Sequence, residues 1–280
     1  MFNNVLVGVD GRPYGRDAMA LASRLKDPEA KLTLAFVQGG SLAEDLKDSS
    51  KLLEQERVAA DIEADLVSVM AASPGRGLHE QVEKQDADLL VVGSCGHSSF
   101  GRAMLGDDTR AALNGAACAV AIASRGFAQR REAIARVGVA YNGSPESEAA
   151  LVAAQQLAAR TNASVHALEV VSLPSVSYVG IVAPAIGDTI DALLQEASTR
   201  MQQLSGAEGR AVYGLSGEEL AAFSDEVDLL VVGSRGYGPA KRLVLGSTSN
   251  YLERHARCSL LVLPRIAAVG KDISAGPRSV

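Results

Sequence analysis

DLLVVGS occupies residues 88–94 and returns, letter for letter, at residues 228–234. Each copy is a short apolar run closed by Gly-Ser, without the alternation of a half-exposed strand. It therefore reads as a strand buried on both faces, the kind found in parallel sheets. The segments that follow also correspond: CGHSSFGRAMLGDDT after the first copy, RGYGPAKRLVLGSTS after the second. Gly96 answers Gly236, Arg102 answers Arg242, Leu105 answers Leu245 and Gly106 answers Gly246. Cys118 and Cys258 each open a further apolar strand, and VLVGVDGRP at 5–13 parallels VGVAYNGSP at 137–145. A repeat this long is a duplicated domain and not a solenoid.

Within each half the elements alternate. In the first, strands are expected at 5–9, 32–37, 67–71, 89–92 and 119–123, and helices at 14–25, 51–66, 77–84 and around 109–115. Ala18, Leu21, Ala22 and Leu25 fall on one helical face. Strand–helix alternation predicts an α/β fold: two doubly wound, Rossmann-like domains, each with a parallel sheet. The expected limits are 1–123 for the first domain, 124–132 for a polar and basic linker, and 133–264 for the second domain. Residues 265–280, small and polar, read as a loose tail. Bare apolar edge strands invite aggregation, so the terminal strands at 119–123 and 260–263 are expected to pair the halves.

Composition narrows the function. A formal net charge of −6 argues against a nucleic-acid surface, and 4% aromatic residues with no Trp argue against base-stacking platforms. No apolar stretch reaches the ~20 residues of a membrane helix, and the N-terminus lacks the basic flank of a signal peptide. Three scattered cysteines fit a reducing cytoplasm better than a disulfide framework. Cys118 and Cys258 read as small core residues. Cys95, inside the first glycine loop, reads as an inert thiol with no resolving cysteine nearby. The histidines at 79, 97, 166 and 255 show no metal-ligand spacing. Walker, dinucleotide and nucleophile-elbow motifs are all missing.

One spacing remains: Gly233-x-x-Gly236, nine residues, then Gly246-Ser247. The first glycines permit a sharp turn and a close backbone approach. Gly246, Ser247, Thr248 and Ser249 then open a helix whose hydroxyls and free N–H groups suit an anion. Arg235, Lys241 and Arg242 add positive charge.

This spacing after a fourth strand, in a duplicated α/β unit with Asp-Gly closing its first strand, resembles the universal stress protein family. The resemblance covers both halves. It implies five strands per half, pseudo-twofold pairing, an adenine-nucleotide-hydrolase-like fold, and binding of ATP or AMP with little catalytic turnover. It places Asp10 near ribose or adenine, and the backbones of Val37 and Val170 against adenine. It places Gly233, Gly236, Gly246, Ser247 and Thr248 around phosphate. Gly93, Gly96 and Gly106 form the weaker first-half counterpart. Two departures stand out: Asn142 replaces the acid in the second half, and Asp107 replaces the phosphate-binding hydroxyl in the first. Like charges ~4 Å apart repel by ~4 kcal/mol at an effective dielectric near 20, roughly a thousandfold in affinity. The second half is therefore the expected binder, unless Mg²⁺ bridges Asp107 or Asp108 to phosphate.

The expectation is a cytoplasmic stress-response protein in which bound nucleotide serves sensing or regulation, with a homodimer of tandem chains left open. The rival readings are a slow ATPase or phosphotransferase, for which no base is evident, and an interaction protein whose loops bind nothing. The sequence names no protein partner.

Overall fold

The structure, a computed structural model, describes residues 1–38, 43–94, 114–130, 132–172, 183–234, 243 and 246–264. In the first half the order is β1 (Phe2–Gly8), α1 (Pro13–Leu25), β2 (Lys26–Gln38), α2 (Ala43–Ala59), β3 (Asp65–Met70), α3 (Pro74–Gln85), β4 (Leu89–Gly93) and β5 (Ala119–Ala123). The second half runs β6 (Arg136–Ala140), α4 (Pro145–Thr161), β7 (Ser164–Val171), α5 (Ala183–Gln202), β8 (Glu208–Tyr213), α6 (Ser216–Phe223), β9 (Leu229–Gly233), α7 (Ser247–His255) and β10 (Ser259–Leu263).

The repeated DLLVVGS segments are β4 and β9, whose first four residues are buried. Neighbouring strands within each half run parallel, as expected of strands apolar on both faces. The halves then join through their last strands. β5 and β10 pair antiparallel, with Leu260 opposite Ile122, Leu261 opposite Ala121 and Val262 opposite Val120. The result is one ten-stranded sheet in the order β3-β2-β1-β4-β5-β10-β9-β6-β7-β8.

Alternate strand residues feed two apolar layers, one on each face. One layer holds Leu21 of α1, Leu53 of α2, Leu157 of α4 and Met201 of α5. The other holds Leu78 of α3, Phe223 of α6 and Leu252 of α7. Both layers continue across the β5–β10 seam.

Several expected boundaries shift for local reasons. The helix expected at 51–66 starts earlier and ends at Ala59, so β3 begins at Asp65. Asp61 sits at φ 51°, its N–H donating to Val58 and that of Ile62 to Arg57, a left-handed helix stop made without glycine. β2 reaches back to Lys26, with an irregularity in its pairing to β1 between Phe2 and Asn4. Of the helix expected around 109–115, only Asn114 and Gly115 are described, and they form a turn. The tail at 265–280 lies outside the described residues.

The basic segment read as a linker is held down. Gly126, at φ 76°, leads into a 3-10 turn over Phe127–Gln129, and the Phe127 ring is buried in the layer that holds α1 and α4. Buried Asp17 of α1 accepts the Gly126 and Ala128 N–H groups at 2.9 and 2.8 Å. The Arg24 guanidinium lies 5.2 Å over the Phe127 ring and donates to the Arg130 and Glu132 carbonyls. Farther along the same face, Arg160 of α4 reaches Asp27 at 2.9 Å and the Lys26 carbonyl at 2.6 Å. Charge and packing thus stitch the halves on one face while the strands stitch them in the sheet.

The packing can be tested at Phe127 and at the two buried cysteines. Phe127→Ala removes a buried ring from a shared core and should cost ~3–5 kcal/mol of unfolding free energy in a guanidinium titration. A loss under ~1 kcal/mol would show the linker ring to be dispensable. Burial pushes the Cys118 and Cys258 thiols from 9.0 up to about 12. Between those values the folded chain keeps protons that the unfolded chain releases, so stability should fall as pH rises from 9 toward 12. The same two thiols should resist a disulfide reagent at pH 8 until the chain is denatured.

Candidate functional site

Ligands of doubly wound sheets sit at the carboxyl ends of strands where the connections change direction. In the second half that point lies between β6 and β9, the two strands flanking the reversal in strand order. A cavity of about 790 Å³ opens there, within the ~300–1,000 Å³ range of small-molecule pockets. Its floor is Ala140 from β6, Leu168 and Val170 from β7, and Val232 and Gly233 from β9. Asn142 and Glu146 border it on the α4 side, Ser216 and Leu220 come from α6, and Gly246 to Ser249 form the start of α7.

Three helix N-termini meet the cavity, those of α4, α6 and α7, and the wiring of α4 and α7 differs. Ser144 caps α4: its Oγ accepts the Ser147 N–H at 3.2 Å, while the Ser147 hydroxyl donates to the Ser144 carbonyl at 2.9 Å. The Asn142 N–H donates to Ser147 Oγ at 3.3 Å, and Asn142 Oδ1 accepts the Ser144 N–H at 3.1 Å. That end of α4 satisfies its own donors. At α7 the N-cap is Gly246, which has no side chain to serve as a cap. The start of α7 turns the positive end of its helix dipole toward the cavity.

A second observation points the same way. Ser234, the last residue of the repeated heptapeptide, lines the cavity and is only 4% exposed. Its Oγ is buried with no hydrogen-bond partner among the described residues. A buried hydroxyl without a partner costs ~1–3 kcal/mol, which a ligand oxygen or bound water would recover.

The structure brings together Asn142, Val170, Gly233, Gly246, Ser247, Thr248 and Ser249. Arg235, Gly236, Arg242 and Lys241 lie outside the described residues, as do Cys95, Gly96, Gly106, Asp107 and Asp108. In the first half Asp10 is exposed, its Oδ1 accepting the Arg12 N–H at 3.0 Å. Val37 pairs with Val69 and packs beside the α3 layer, while Gly93 closes β4.

Two glycines have a packing role that the sequence does not show. A Cβ on Gly233 would stand 2.7 Å from the Glu146 carbonyl oxygen, and one on Gly93 2.1 Å from that of Tyr14. These glycines let α4 and α1 close onto the sheet, so helix packing uses their missing side chains. Gly246 takes φ −78° and ψ 174°, extended backbone open to any residue.

Sequence reading missed Tyr141, Ser144, Glu146, Ser216 and Ser234, which also line the cavity. For Ser234 the signal was present, since the verbatim repeat ends on it. Behind the cavity the Tyr141 hydroxyl donates to Glu148, and burial, then that hydrogen bond, pushes it up to about 12. Arg200 of α5 forms a bidentate pair with buried Glu169 at 2.9 and 3.1 Å, pinning α5 to β7.

The family model of the universal stress protein family matches residues 1–124 and 134–264, and the chain belongs to that family. Universal stress protein Rv2623 of Mycobacterium tuberculosis is 27% identical over 292 residues, covering 92% of this chain and 95% of the relative. Universal stress protein Rv2005c of the same species is 28% identical over 229 residues, 75% of this chain and 72% of the relative. Among solved structures, a universal stress protein from Archaeoglobus fulgidus DSM 4304 superposes with a TM-score of 0.66 at 19% identity, covering 94% of this chain and 98% of its own. A Pseudomonas aeruginosa PAO1 protein described as functionally unknown gives 0.67 at 16%, covering 94% and 93%. At these identities the structures speak to the fold. Among the described residues no helix is long and apolar enough to cross a membrane.

A paired substitution separates the two roles found here. Gly233→Ala should destabilise the fold by ~1–3 kcal/mol through overpacking, because its neighbour is backbone. Ser234→Ala should leave the denaturation midpoint unchanged or raised, while weakening whatever occupies the cavity. Equal midpoints for Gly233→Ala and the wild type would refute the packing role.

Proposed function

We propose that this protein binds an adenine nucleotide, ATP or AMP, in its second half, and that the bound nucleotide serves sensing or regulation in a stress response. The start of α7, whose N-cap is a glycine, carries the reading. It opens on a cavity that also holds the Ser234 hydroxyl, which has no partner among the described residues, and it presents Ser247, Thr248 and Ser249 there. Backbone N–H groups, hydroxyls and the positive end of a helix dipole suit phosphate oxygens. The apolar floor of Leu168, Val170 and Val232 suits a planar base. Membership of the universal stress protein family agrees with this division of the cavity.

Calorimetric titration with ATP, with and without EDTA, tests the proposal. One tight site per chain is expected. Ser247→Asp should lower its affinity roughly a thousandfold, the effect of a ~4 kcal/mol like-charge contact, while Asp107→Ser should add a second site. Two equal sites in the wild type without Mg²⁺, or no binding at all, would overturn it. ADP accumulating with time would replace the regulatory reading with an ATPase.

A further inference from the structure

The cavity lies wholly in the second half, yet one residue just upstream of its helix is held by the first. Leu243 precedes Gly246 by three residues and is fully buried. Its carbonyl accepts the Gly115 N–H at 2.9 Å, and its own N–H donates to the Ala116 carbonyl at 2.9 Å. Gly115 and Ala116 belong to the turn that leads into β5. Gly115 stands at φ +93°, in the left-handed region that side chains resist, and Ala116 is fully buried. The Leu243 side chain shares an apolar layer with Ala116, with Val120 and Ile122 of β5, and with Leu252 of α7 itself.

Three residues of extended chain span at most ~10 Å. A clasp at Leu243 therefore sets where Gly246 and the first N–H groups of α7 can lie. Both backbone polar groups of Leu243 are satisfied by the other half. Without that half they would be buried unpaired or return to water, and the chain leading into α7 would lose its anchor.

We propose that the first half is a working part of the second-half site: the Gly115–Ala116 clasp on Leu243 positions the anion-binding end of α7. Nucleotide binding and the packing of the two halves are thereby coupled. Leu243 and Gly115 are positioning residues, since neither lines the cavity. The inference rests on the nucleotide reading above and extends it. Coupling is reciprocal: whatever factor the clasp contributes to affinity, bound nucleotide returns to the clasp.

Hydrogen exchange of the Gly115 amide, followed by NMR on the full chain with and without ATP, tests this without any substitution. ATP should slow exchange at Gly115 at least fivefold, although this amide belongs to the first half. In calorimetry Leu243→Ala should weaken ATP binding tenfold or more, and Gly115→Ala about fivefold through strain at its positive φ. Leu243→Met, which keeps the volume and both backbone bonds, should restore wild-type affinity. ATP bound with Gly115 exchange unchanged, or wild-type affinity in Leu243→Ala, would overturn the coupling and leave the nucleotide site standing. A wild-type chain that binds no ATP would overturn both.

Discussion

The antiparallel pairing of β5 with β10 is the contact on which the rest of the molecule depends. Each half alone would end in a strand buried on both faces yet bare along one edge. β5 is buried at all five positions, so its edge could not be blunted by charge. Setting the second copy against it satisfies both edges at once, and the antiparallel sense imposes a local two-fold. The seam is closed further by buried Ser124 and Ser259, where the Ser124 N–H donates to Ser259 Oγ at 3.1 Å. Once the strands are joined, α1 and α4 lie on one face of a continuous sheet. Arg160 can then reach Asp27, and Phe127 of the connection can drop into a core that belongs to neither half alone. The register also places Cys118 and Cys258 at opposite ends of the seam, before β5 and before β10, which rules out a disulfide between them.

Duplication has kept the shape while the polar wiring diverged. In the first half Arg16 of α1 forms a bidentate pair with buried Glu56 of α2 at 2.8 and 3.0 Å. The matching position of α4 is Glu148, which takes the Tyr141 hydroxyl instead, and α5 is pinned by Arg200 to Glu169. Each arrangement leaves one buried carboxylate dependent on one arginine, so removing either arginine would strand a charge. The entry to α1 carries Arg12, with no side-chain cap, where α4 has the Ser144–Ser147 network. One backbone plan thus tolerates two electrostatic solutions, provided that each is complete.

Much of the fold was legible in the sequence, because apolar runs and a verbatim repeat are local signals. Strand identity, the parallel sheets and the terminal pairing all follow from residues such as Leu89 to Gly93 and their copy. What stayed hidden had causes in three dimensions. The end of α2 hides in Asp61, an aspartate in a conformation usually marked by glycine. Gly233 reads as a loop glycine until the Glu146 carbonyl is seen beside it. Ser234 is visible as a repeated letter, yet its value lies in lacking a partner, and a sequence cannot report that. Leu243, inside a segment rich in glycine and charge, gives no hint that it is clasped by a turn more than a hundred residues earlier.

Asn142 shows how a resemblance can carry two jobs under one residue. The equivalent Asp10 uses Oδ1 to hold the Arg12 N–H, and Asn142 uses Oδ1 to hold the Ser144 N–H, at 3.0 and 3.1 Å. The turn closing the first strand therefore needs only one carbonyl-like oxygen, and aspartate and asparagine serve it equally. The replacement is felt at the other atom. Asp10 presents a second charged oxygen, 3.8 Å from the Arg12 guanidinium. Asn142 presents an uncharged amide nitrogen that can only donate, and it does so at the rim of the cavity. The exchange of acid for amide, which looks in sequence like the loss of a ligand-binding group, keeps the oxygen that the turn uses and changes only the atom left for the cavity.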